Sequence, residues 1–312
     1  MAQAASELRH ERIATFLASA TEIVNALGLR DRLVGVSHEC DFPPGIENLP
    51  RLTQARVSAP GSRSSRELHE EVEAMVREVV ALYEVDVEAL RKVAPDVLIT
   101  QDLCAVCAVG LEDVRKAASA VLGKDVQIVS LAPKRLDDVW NDVVRVGEAL
   151  GLGMTAQAIA NGFRSRVGAT ARRAEIAAAA GRPKVLAIEW IDPVMVGGLW
   201  MPDLIQLAGG DALVGEAGEP GVVLEDDAEV APDVIIVKPC GFDLPTTLTE
   251  LATSDLRKRW PNARWYAADG NAFFNRSGPR LVESLEILAA CVHPEAFADL
   301  ATLHEGHFVA LT

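Results

Sequence analysis

No stretch of this sequence approaches the roughly 18 consecutive apolar residues that a membrane-spanning helix needs. The N-terminal "MAQAASELRHERIATFLASATE" is not expected to be a secretory leader, because the charged "ELRHER" precedes an apolar run confined to "IATFLASA". Basic charge is scarce. Thirty Lys and Arg stand against 45 Asp and Glu, a formal net charge of -15, which argues against nucleic acid or an anionic membrane surface as a partner. Aromatics make up only 5% of the residues, and Ala, Val and Leu dominate instead, as in helix-rich α/β proteins. The chain also lacks Gly-x-Ser-x-Gly, a phosphate loop, His-Glu-x-x-His and a dinucleotide fingerprint. Glu189, at a strand end, has the chemistry of a general base, but nothing marks a second catalytic partner, so the expectation is that this is not an enzyme. In the absence of a leader the expected location is cytoplasmic, where the five cysteines are reduced thiols or metal ligands rather than disulfides.

What is present is an alternation of apolar runs and helical periods over 312 residues. "RIATFLAS" reads as a strand and "ATEIVNALG" as a helix stopped by Gly28. "LVGVS" reads as a second strand that ends in the loop "HECDFPPG". Residues 51–66 are polar, with Gly, Pro and Ser, and read as loop. Further strands are expected at "DVLIT", "VQIVSLA", "KVLAIEW", "DVIIVKP" and "RWYAADG", with helices between them. Strands alternating with helices mean a parallel sheet covered on both faces. From about 136 to 180 the pattern is helical throughout, and its second run, Met154 to Ala180, is 27 residues long, or about 40 Å at 1.5 Å per residue. The expected fold class is therefore α/β: two Rossmann-like lobes with central, parallel-type sheets joined by one long helix. The boundaries fall at an N-terminal lobe 1–150, a connecting helix 151–182 and a C-terminal lobe 183–312.

The two halves share one register. "APDVLIT" at 94–100 and "APDVIIV" at 231–237 lie 137 residues apart, and the same shift carries Glu88 onto Glu225, each seven residues before its proline. A duplicated lobe is the simplest account. In a parallel α/β sheet, ligands bind beyond the carboxyl ends of the strands. The loops there carry Cys40, Cys104, Cys107 and Cys240 with His38, and Phe42, Glu189, Trp190, Trp200, Phe273, Phe274 and Arg276. "CAVC" (104–107) is the usual local half of a metal or cluster site, with Cys40, Cys240 and His38 as the missing half; packing as small apolar residues and a redox dithiol are the other readings. All four cysteines are expected to converge on one interlobe cleft. Trp190 and Trp200, beside "IDP" and "GG", are expected to line a pocket. In "NAFFNRSGPR" the adjacent Phe273 and Phe274 cannot both face one core if the segment is extended. Arg276 would meet an anionic ligand or cap the neighbouring helix. Cys291 reads as core, and His69, His304 and His307 as surface. Glu88 and Glu225 are placed in the first turns of short helices, where a carboxylate complements the helix dipole.

Two lobes, one long helix, "PDV" before a strand in each lobe and a glutamate seven residues upstream resemble the class III substrate-binding proteins of ABC transporters, its vitamin B12-binding members above all. The similarity runs from Arg12 to His293, through "ATFLASATEIVNALGLRDRLVGVSHECDFPP" and "AADGNAFFNRSGPRLVESLEIL". The resemblance implies a cleft that holds a corrinoid or another metal chelate by aromatic stacking, with Trp190 at the position of a cleft aromatic. It also implies an ABC transporter permease as partner, docked through Glu88 and Glu225. The alternative from another class is a cytoplasmic iron–sulfur or metal protein that uses the cleft cysteines on the same fold.

Overall fold

The computed structural model describes residues 12–57, 61–77, 83–102, 111–122 and 126–311. The chain divides into two compact units: residues 1–58, 70–133 and 137–162 form unit 1, and residues 59–69, 134–136 and 163–312 form unit 2.

Unit 1 begins with β1 (Ile13–Thr15), α1 (Ala18–Ala26) and β2 (Leu33–Gly35), followed by β3 (Thr53–Ala55). Next come α2 (Ser65–Arg77), whose first turn belongs to unit 2, β4 (Tyr83–Val85), α3 (Val87–Val93), β5 (Val97–Gln101), α4 (Leu111–Val121) and β6 (Gln127–Leu131). Four strands form one parallel sheet in the order β2-β1-β5-β6. Every residue of β1 and β5 is buried, as expected of strands covered on both faces. Within the stretch read as loop, residues 53–55 pair antiparallel with β4. A polar Thr-Gln-Ala triplet carries no period that would have marked it as a strand.

The helices α5 (Leu136–Ala149) and α6 (Gly153–Ala177) follow. α6 has 25 residues, and Gly162/Phe163 divides it between the units. On the unit 1 side Gly147 lets α5 and α6 approach: a Cβ there would lie 2.1 Å from that of Ala156. On the unit 2 side Arg166 bonds Glu286 through Nε and Nη2 (2.7 and 2.6 Å) and Glu283 through Nη1 (2.6 Å). Glu286 also meets His304 Nε2 at 2.8 Å. His304 is therefore an interior residue, not a surface one: a carboxylate shared with Arg166 makes burial of the imidazole tolerable.

Unit 2 contains β7 (Lys184–Trp190), β8 (Met195–Val196), α7 (Met201–Leu207), β9 (Asp211–Ala212), β10 (Val222–Val223), β11 (Val234–Val237), α8 (Leu244–Thr253), β12 (Arg264–Ala268), α9 (Leu281–Val292), α10 (Ala298–Leu303) and β13 (Phe308–Leu311). The sheet order is β10-β8-β7-β11-β12-β13, with β9 beside β7. The β7, β11 and β12 core is parallel, whereas β8 and β13 run against it and β10, antiparallel to β8, runs with it. The mixed edges differ from the purely parallel expectation; β8 and β10, only two residues long, carry no period that would have marked them. α8, absent from the sequence reading, has its start written in the chain. Asp243 caps it by accepting from Thr246 N–H (2.8 Å), and Pro245 occupies the first turn.

The shared "PDV" has a physical role. In unit 1 the side chain of Asp96 accepts from Arg12 N–H (3.2 Å), its N–H donates to Arg12 O (2.8 Å), and its carbonyl accepts from Gln127 N–H (3.1 Å). In unit 2 the Asp233 carboxylate accepts from Lys184 N–H (2.7 Å), its N–H donates to Lys184 O (2.9 Å), and its carbonyl accepts from Arg264 N–H (2.9 Å). Each aspartate thus fastens the foot of a central strand to the strands on both sides. A hydrogen bond to a charged group contributes about 1.5–3 kcal/mol when protected and less when exposed, and Asp233 is exposed. Asp233→Ala is expected to lower unfolding stability by about 1 kcal/mol and Asp233→Asn, which keeps the acceptor, by less; urea denaturation of the three proteins measures both.

Candidate functional site

The carboxyl edge of each sheet collects the candidate residues, and each unit builds its own set. In unit 1 the loop after β2 carries His38, Glu39, Cys40 and Phe42. Arg51 pins this loop by donating from Nη1 to the carbonyls of Ser37 (3.0 Å) and Cys40 (2.7 Å). His38 Nδ1 lies 2.7 Å from Thr53 Oγ1, and its ring packs 5.3 Å from that of Tyr83. Tyr83 Oη donates to Glu39 Oε1 at 3.1 Å. Burial, and then the positive charge of Arg51, hold the His38 pKa below its ordinary value, which favours the neutral imidazole. Phe42 is half-buried. Cys40 points the other way. It is 2% exposed, and its Sγ lies 3.1 Å from Thr21 Oγ1, which in turn meets Thr15 Oγ1 at 2.6 Å.

In unit 2 three strand-end loops meet around Lys238. Its side chain is 1% exposed, with Nζ 2.8 Å from Asn275 Oδ1 and 3.4 Å from Glu189 Oε2. Asn275 closes the knot by donating from Nδ2 to the carbonyls of Lys238 (2.9 Å) and Gly270 (2.8 Å). The Glu189 carboxylate sits where Gly197 and Gly221 leave room: a Cβ on Gly221 would lie 2.2 Å from Oε1. Glu189 is thus the counter-ion of a buried cation. Burial pulls the Lys238 pKa down, and the charge of Glu189 works against that shift. Beside this knot Trp190 is half-buried. Its Nε1 donates to Ser65 O (3.1 Å), and its ring meets Phe242 edge-on at 5.4 Å. Cys240, exposed, donates its N–H to Glu189 O at 3.1 Å. Arg276 Nη2 donates to Asn271 Oδ1 at 2.9 Å.

Three aromatic candidates lie in the interior of unit 2. Trp200 is 7% exposed and donates from Nε1 to Phe274 O (2.7 Å), and Phe273 and Phe274 are both buried. Phe274 has φ +67°, so the segment is not extended, and both rings turn inward. That left-handed residue removes the premise under which one ring would have to face outward. The fifth cysteine, Cys291, is fully buried on α9.

Cys104 and Cys107 lie outside the described residues. Among the described residues no group of three or more His, Cys, Asp or Glu is placed to hold a metal ion. Glu88 is exposed in the first turn of α3, after the Asp86 cap, and pairs with Arg91. Glu225 is exposed too, but it lies in the loop after β10 rather than in a helix, with its carbonyl bonded by Arg259. It borders a unit 2 groove of about 460 Å³ where Arg66 and Asp192 form a two-bonded ion pair at 2.6 and 2.8 Å. The sequence reading missed Lys238, Asn275, Thr53 and Tyr83. A lysine directly after the buried run "VIIV" was the available signal for the first; nothing local marks the other three.

The periplasmic binding protein family matches residues 13–263. A solved periplasmic vitamin B12 binding protein, BtuF of Vibrio cholerae, is 18% identical with a TM-score of 0.64, covering 92% of this chain and 98% of its own. A periplasmic heme binding protein from Pseudomonas aeruginosa is 18% identical with a TM-score of 0.64, covering 97% and 95%. The periplasmic heme-binding protein RhuT from Roseiflexus is 22% identical with a TM-score of 0.62, covering 93% and 99%. No curated protein matches this chain. All three solved proteins are described as periplasmic, so the comparisons lend no support to a cytoplasmic location. No helix among the described residues is long and apolar enough to cross a membrane. With the family match spanning most of its length, the chain belongs to the periplasmic binding protein family, whose members are ligand-binding components of ABC transporters rather than enzymes.

Proposed function

We propose that this protein captures a flat, metal-containing macrocycle, a corrinoid or a heme, at the carboxyl-edge loops of its sheets and delivers it to an ABC transporter. The carrying observation is the coincidence of fold and surface. Relatives of this fold are described as binding vitamin B12 or heme, and the unit 2 edge offers a half-exposed indole, Trp190, held in orientation by Ser65 and Phe242. An indole face stacks on a planar macrocycle, and a ring fixed in advance loses little entropy on binding. Phe42 and Arg276 are the further contacts we assign, the second to a carboxylate or amide on the macrocycle periphery. Cys240 is the exposed thiol at the same edge. Among the described residues nothing favours an iron–sulfur reading: a cluster needs converging thiolates, and Cys40 is turned into the unit 1 interior.

Glu88 and Glu225, both exposed, are assigned to docking on the permease. Titration with hemin and with aquocobalamin, followed by absorbance, tests the cargo. Binding of neither sinks the proposal. Trp190→Ala should weaken binding severalfold, since aromatic stacking adds about 1 kcal/mol beyond buried area; unchanged affinity would make Trp190 structural. Changing both Glu88 and Glu225 to Lys should leave cargo affinity intact and abolish uptake in a transport assay.

Lys238 serves as a brace for the Trp190 edge, and its signature is pH-dependent. With its folded pKa lowered, the unfolded chain holds more protons between the folded pKa and about 10.4, so native stability rises with pH in that window. Lys238→Met should remove this rise. Denaturation midpoints measured from pH 7 to 10 should therefore climb more steeply for the wild type than for the variant.

A further inference from the structure

The loop after β2 holds one imidazole under unusual control. Thr53 Oγ1 lies 2.7 Å from His38 Nδ1 and 3.0 Å from both the His38 backbone nitrogen and Ser37 Oγ. The hydroxyl can accept from Nδ1–H and from the backbone N–H while giving its own proton to Ser37 Oγ. In that arrangement the lone pair of the neutral ring sits on Nε2. This nitrogen has the Glu39 carboxylate at 3.9 Å, outside hydrogen-bond reach, and a quarter of the side chain stays exposed. The ring cannot swing freely, because Tyr83 packs on it and the loop is pinned by Arg51. Metal-bound histidines are held in this manner, the second ring nitrogen fixed to a hydrogen-bond partner so that tautomer and direction are set beforehand.

We propose that His38 Nε2 is the protein's ligand to the metal of the bound macrocycle, with Thr53 as the residue that positions it; this rests on the cargo being a metal-containing macrocycle. Donor count supports the pairing. A bare divalent ion needs three or more side chains, and among the described residues no such group of His, Cys, Asp or Glu is formed. A metal already held in the plane of a tetrapyrrole lacks only axial donors, and one imidazole supplies one. Within "HEC" the partition is clear. The Cys40 thiol is committed to Thr21 inside the unit, whereas His38 and Glu39 remain at the surface.

The test uses the full chain loaded with hemin or aquocobalamin, whichever binds. His38→Ala and His38→Gln should shift the Soret band of bound hemin, or the visible bands of bound aquocobalamin, relative to wild type. Free imidazole should return the bands of the alanine variant toward the wild-type position. Thr53→Val should keep the wild-type spectrum and weaken affinity by about 10-fold or more. Circular dichroism identifies any variant that fails to fold, and the glutamine variant stands in for an unfolded alanine one. Bands that do not move in the folded variants overturn the role of His38 and leave the cargo reading intact. A wild-type protein that binds neither macrocycle overturns both.

Discussion

A parallel sheet has a binding edge only if its strands start in register, and in this protein one aspartate per unit sets that start. Asp96 and Asp233 occupy the same place before β5 and β11, and each uses N–H, carbonyl and carboxylate to tie a central strand to both neighbours. In unit 1, Ala94, just before the proline, takes a left-handed conformation (φ +36°) that closes α3 where the strand must begin. With the feet aligned, the carboxyl ends of β1, β5 and β6 in unit 1, and of β7, β11 and β12 in unit 2, are aligned as well. The loops that carry Trp190, Lys238 and Asn275 follow from that alignment.

The repeat at a spacing of 137 residues was legible because this bracket is local: an Asp next to an apolar run is visible without any knowledge of what it touches. The central strands and the long helix were legible for the same reason, since continuous apolar runs and a sustained 3.6-residue period leave little choice. The two-residue edge strands β8 and β10 carry no period, and β13 is recruited by pairing with β12 rather than by its own pattern. Side-chain direction was the harder part. Phe273 and Phe274 turn inward because one residue takes a positive φ, a choice that no composition rule reveals. Cys40 turns inward because Thr21, nineteen positions earlier, supplies its partner. Loop membership could be read from the sequence; which loop residues face a ligand could not.

Unit 2 shows what a rigid edge costs in buried charge. Lys238 is almost wholly enclosed, and an ammonium so placed is tolerable only with a counter-charge and satisfied donors. Glu189 and Asn275 supply these, and two glycines make room for the carboxylate. The Glu189 carboxylate is thereby engaged with the lysine. The knot also joins the end of β7, through Glu189, to the segments after β11 and β12, which Asn275 links by reaching two backbone carbonyls. Trp190 is the last residue of β7, next to Glu189, so its indole is presented from a fixed base.

Lys238 and His38 are therefore handled in opposite ways. Lys238 has its charge compensated by Glu189 and a donor taken up by Asn275. His38 has its charge suppressed, by burial and by Arg51, and one ring nitrogen consumed by Thr53. The neutral imidazole is the form able to coordinate a metal, and both causes favour it. Arg51 serves both ends of this arrangement. Its guanidinium pins the loop through two carbonyls, and the same positive charge disfavours the imidazolium. One cation thus contributes both to the position of His38, beside Thr53 and Tyr83, and, after burial, to its chemistry.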